Sequence, residues 1–139
     1  MKTYILLLVV FVSGNLVAQD STSIEVETPK IISKLQLGKT YSLDTVQIKF
    51  VDVLSDSRCP SDVTCVWAGQ VIALVEVYEN KTLIEKKELV FESGKNINNE
   101  LMTLFTSEKS IIIANNVLPY PKSREKIKKE DYYLQLEVK

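Results

Sequence analysis

The chain contains no histidine, which removes imidazole-built zinc sites and every Ser-His or Cys-His nucleophile system at once. Glycine is scarce, at four scattered residues, so a glycine-rich phosphate loop is absent. The two cysteines, Cys59 and Cys65, lie farther apart than the pair of a redox Cys-x-x-Cys motif. Charge of one sign is also missing. The formal net charge is −1 and no basic stripe is interleaved with aromatics, so nucleic acid is not an expected partner. Carboxylates are plentiful, but no spacing singles out a general acid and base, and charged strand faces account for them as solvated surface. These absences predict a protein that is not an enzyme and that holds no cofactor and no metal.

What is present begins with a leader. Lys2 precedes the apolar run Ile5 to Val12, followed by the smaller, more polar Ser13-Gly14-Asn15 and then Leu16-Val17-Ala18. This is the three-part layout of a cleavable export signal over residues 1–18. The apolar run is well short of the ~20 residues that span a bilayer, so no stable membrane insertion is expected after cleavage near Ala18. No cysteine stands at that point to accept a lipid. The expected product is secreted or periplasmic. Residues 19–30 are polar and read as a flexible leader. Residues 31–139 are long enough for one domain with a single core.

Within that domain the apolar pattern has period two. Leu35, Leu37, Tyr41 and Leu43 share one parity around Gly38-Lys39, as do Val46, Ile48 and Phe50. Val71 to Tyr78 is apolar on both parities in its first half, which predicts a central strand covered on both faces at that end. Glu79 to Thr82 supplies a turn in which Asn80 tolerates positive φ, and a charged strand returns from Leu83 to Phe91. Tyr132, Leu134, Leu136 and Val138 alternate with polar or amphipathic residues in a two-faced final strand. The expected fold is all-β, a Greek-key-like antiparallel β-sandwich of about seven or eight strands. One short helix near 98–110 is an alternative, since Leu101, Leu104 and Phe105 fall at helical spacing.

Asp56-Ser57-Arg58-Cys59-Pro60-Ser61-Asp62 and Cys65-Val66-Trp67-Ala68-Gly69 hold both cysteines and the lone tryptophan. In an exported protein this spacing predicts a Cys59–Cys65 disulfide, and closure of so short a loop contributes about 2.4 kcal/mol. The segment reads first as a rigid corner between two core strands, with Trp67 packing over the bridge. Arg58, Asp62 and Trp67 are the candidate binding residues. Arg58, beside the bridge, suits presentation to a trypsin-like specificity pocket, but Asp56 and Asp62 are both near enough in sequence to pair with it. A calcium site from Asp52, Asp56 and Asp62 is chemically available without the usual loop pattern. Lys122, Arg124, Lys126, Lys128 and Lys129, diluted by Glu125, Glu130 and Asp131, read as a solvated loop.

The Asp-Ser-Arg-Cys-Pro motif followed by Cys65-Val66-Trp67-Ala68-Gly69 resembles the hallmark of a family of small secreted or lipid-anchored bacterial proteins, frequent among Bacteroidetes-type organisms. Leu118-Pro119-Tyr120-Pro121 and Asp131-Tyr132-Tyr133 are similar to that family's C-terminal pattern. The resemblance implies export and a β-rich fold, and it brings no activity, cofactor or binding residue. The expected function is a non-catalytic secreted or periplasmic binding or structural module, meeting a protein or glycan partner in the cell envelope. The alternative is a secreted serine-proteinase inhibitor presenting Arg58.

Overall fold

The computed structural model describes residues 30–94, 99–123 and 125–139. The expected signal peptide, most of the expected leader and Arg124 lie outside the described residues. Among the described residues, eight strands form two antiparallel sheets: β1 (Ile31–Gln36), β2 (Thr40–Leu43), β3 (Val46–Asp56), β4 (Gln70–Glu79), β5 (Thr82–Glu92), β6 (Thr103–Thr106), β7 (Ile111–Leu118) and β8 (Tyr133–Val138). The first sheet has the order β1-β8-β7-β6 and the second β2-β3-β4-β5. This is the all-β, antiparallel sandwich that the alternation predicts. Neighbours within each sheet are mostly sequential; the chain crosses between sheets after β1 and after β5, and β8 returns beside β1. The helical alternative reduces to a single turn, α1 (Asn99–Met102), because the apolar run then continues as β6. Among the described residues no helix is long and apolar enough to cross a membrane.

The core is the sum of the inward parities. Ile48, Phe50, Val71, Val75, Val77 and Leu89 from the second sheet face Ile112, Ala114, Val117, Leu134 and Leu136 from the first, all essentially without solvent contact. Branched residues suit this pleated, half-buried surface, which explains the clean period-two signal. Tyr132, Leu134, Leu136 and Val138 are buried as the alternation predicts. The turn between β4 and β5 has both central residues at positive φ, Asn80 at 49° and Lys81 at 65°, matching the twist of a two-residue hairpin.

Two departures from simple alternation position the site. β3 carries extra residues at Val51 and Leu54, where its register against β4 shifts. Each bulge turns the following side chains over, so Val53 packs inward while Asp52 and Leu54 face outward. Strict parity from Phe50 would have buried Asp52. The second departure is β4. Ile72 and Leu74 on its outer face are only half-buried, so the strand is central within its sheet but is covered on one face rather than two.

Candidate functional site

The segment between β3 and β4 continues their pairing before it leaves the sheet. Ser57 N–H donates to the Gln70 carbonyl at 2.8 Å and Cys59 N–H to that of Ala68 at 2.9 Å. Gly69 lets the two chains come this close. Its φ is +71°, and a Cβ there would collide with the Ser57 carbonyl. The disulfide between Cys59 and Cys65 then closes the loop, with the Cα atoms 5.9 Å apart. Such a bridge belongs to an oxidising environment of the periplasmic or extracellular kind.

Arg58 is the buried centre of this corner, at 5% exposure. Its Nε and Nη2 donate to the two carboxylate oxygens of Asp56 at 2.8 and 2.6 Å. Nη1 donates to the Val117 carbonyl at 2.6 Å and Nη2 to the Pro119 carbonyl at 3.0 Å, both on the chain leaving the first sheet. The guanidinium lies over the Tyr120 ring, 4.9 Å from its centroid, and the Tyr132 hydroxyl donates to Asp56 at 2.9 Å. One planar, fork-shaped cation therefore ties the end of β3 to the segments flanking the β7–β8 connection. Lysine has neither the plane nor the donors for this set.

The electrostatics follow from the packing. Burial pushes the Asp56 carboxyl up, but the hydrogen bonds and charge of Arg58, aided by Tyr132, prevail and hold it below the ordinary carboxylate value. Burial first, and then the Asp56 carboxylate, push the Tyr132 hydroxyl up to about 12.

Of the predicted binding residues, Arg58 is thus placed inside. An inhibitor must project its arginine into a protease pocket, and this guanidinium is fully engaged within the fold, which removes the geometric basis for that alternative. Asp62 accepts from Ser123 N–H and Oγ at 2.8 and 2.5 Å, and Ser61 N–H donates to the Pro121 carbonyl at 3.0 Å. These bonds pin the tip of the loop to the chain after β7, and the two from Ser123 hold the Asp62 carboxyl low. Trp67 is 80% exposed, contrary to the expectation that it covers the disulfide. Val66 beside it is fully exposed and Val63 is half exposed. Asp52, Asp56 and Asp62 do not converge. Each has its own partner, Lys129, Arg58 and Ser123 respectively, and among the described residues no group of three acids or cysteines is placed to hold a metal ion.

Sequence reasoning offered Asp56 and Asp62 as equal partners for Arg58; the fold assigns Asp56. It missed Tyr120 and Tyr132 altogether as members of the corner. The available signal was their setting, since Leu118-Pro119-Tyr120-Pro121 and Asp131-Tyr132-Tyr133 are the two aromatic segments named beside the cysteine motif. No family model, curated protein or solved structure matches the chain.

Proposed function

We propose that the protein is an exported, non-catalytic β-sandwich module that binds a protein or glycan partner of the cell envelope through the tip of its cystine corner. The observation that carries this reading is Trp67, a large aromatic exposed beside Val66 on a loop fixed by a disulfide and by the bonds of Asp62. An exposed aromatic with only two side-chain torsions, carried on a closed loop, loses little freedom on binding and gains its full apolar contact, the pattern of an interface anchor. The leader sequence and the oxidised cysteines support export. The lack of histidine supports a non-catalytic role, as does the engagement of Arg58 and Asp56 with each other rather than with an open cleft.

The test is capture from the host's envelope and culture supernatant with the oxidised protein beside a Trp67→Ala, Val66→Ser variant of equal melting temperature. A protein or glycan retained by the first and lost by the second supports the tip as the binding surface. Equal retention by both would overturn it.

A further inference from the structure

Three of the four sheet edges are short: β1 has six residues and β2 and β6 have four each. The fourth is β5, with 11 residues, whose only strand partner among the described residues is β4. A long edge offers a row of backbone donors and acceptors to another chain, and proteins usually shorten or cover it. Here it also carries exposed apolar side chains, Leu83, Ile84 and Val90.

The pattern of charge along β5 selects an occupant. Lys86, Glu88 and Val90 pair with Glu76, Leu74 and Ile72 of β4 on the outer face, whereas Lys87 and Leu89 point inward opposite Val75 and Ala73. Two copies of β5 laid antiparallel with Lys87 on the two-fold axis pair in regular register over residues 85–89, next to the bulge at Ile84 where β5 shifts against β4. In that register Lys86, which Glu76 of its own sheet approaches at 3.5 Å, stands opposite Glu88 of the second copy, a contact that occurs twice by symmetry. A slip of one residue would set outer side chains against inner ones. The smallest slip that keeps the faces together is two residues, and it brings Lys86 against itself or Glu88 against itself. On the outer face, charge complementarity thus selects one register.

We propose that the protein forms a two-fold dimer by antiparallel β5–β5 pairing, joining the second sheets of two copies into one continuous eight-stranded sheet. The like charges of the two Lys87 side chains that meet at the axis oppose the pairing, each Nζ being held by its own Thr103 carbonyl at 3.0 Å, and the two Lys86–Glu88 contacts must outweigh them. Lys86 on the outer face discourages an arbitrary strand, while a second copy supplies Glu88 to answer it beside Glu76 of its own sheet. β5 carries none of the tip residues, so dimerisation would present two tips on one particle and raise the avidity for a partner that repeats.

Sedimentation velocity over a concentration series of the oxidised full chain tests this. Wild type is expected to dimerise. Lys86→Glu and Glu88→Lys each place like charges together at two symmetric contacts and weaken the dimer about tenfold, and the combined variant restores it. Independently, Lys87→Cys is expected to form an intermolecular disulfide on mild oxidation and Lys86→Cys is not, since only residue 87 meets itself across the axis. A monomer at every concentration would overturn the proposal. So would single reversals that dimerise as tightly as wild type, or a Lys86→Cys variant that cross-links more readily than Lys87→Cys.

Discussion

The stem and the tip of the cystine corner are parts of one loop and are built on opposite principles. In the stem, Arg58, Asp56, Tyr120 and Tyr132 withdraw polar atoms from water and satisfy them in one network that joins both sheets. At the tip, Val63, Val66 and Trp67 leave apolar surface in water on a loop held by the disulfide, the Asp62–Ser123 bonds and the Ser61–Pro121 bond. A buried cation that has lost its water is costly unless every donor is answered, so the stem is where substitutions cost stability. Exposed apolar groups contribute almost nothing to folding. The tip is where substitutions are expected to cost binding.

Substitutions at the stem give the largest expected effect. Arg58→Met removes the cation facing the Asp56 carboxylate, leaving it the Tyr132 hydroxyl and the backbone N–H of residue 58, and takes the guanidinium donors from the Val117 and Pro119 carbonyls; denaturant titration should show a loss of about 3–5 kcal/mol. A loss below about 1 kcal/mol would mean that water reaches the site and that stem and tip differ less than their burial suggests. Replacing Cys59 and Cys65 by alanine frees the link between the two regions. The expected cost is about 2.4 kcal/mol in oxidising buffer, and no difference from wild type once both are reduced. An unchanged melting temperature would rule out the disulfide as a stabilising constraint.

Titration sharpens the comparison further. The folded Asp56 carboxyl is held below its ordinary value of 3.8, so its contribution is present above that pH and lost as pH falls below it. The folded Tyr132 hydroxyl is raised from 10.0 to about 12, so its contribution is complete below pH 10 and is lost as pH rises toward 12. Wild type should therefore lose stability over that alkaline range more steeply than Tyr132→Phe, as read by melts at matched pH. Parallel curves would place Tyr132 outside the network. The smallest effect on folding belongs to the tip, where Trp67→Ala should change stability by less than about 0.5 kcal/mol while abolishing partner capture.

Much of the fold was legible because its signal is local. Alternating side chains at Val46, Ile48 and Phe50, or at Leu134, Leu136 and Val138, fix which face is buried from the strand geometry alone. The turn at Asn80-Lys81 and the disulfide follow from residue type and spacing. Asp52 and Val53 were not legible by the same rule, because a bulge reverses parity without leaving a mark in the pattern. The short helix was ambiguous for a related reason: Leu101 to Phe105 fits both periods over so few residues, and the chain uses one turn of helix and then a strand.

The candidate site divides along the same line. Residue types and their order determined an oxidised loop with an arginine, two nearby acids and a tryptophan, and excluded histidine chemistry outright. Only the tertiary structure decided that Arg58 turns inward and Trp67 outward. Arg58 finds Asp56 two residues away, but the carbonyls of Val117 and Pro119 and the ring of Tyr120 come from about 60 positions further along the chain. No local rule carries that distance. The buried network exists because two sheets close over one corner, and the partner set that makes a buried guanidinium tolerable is assembled only when they do.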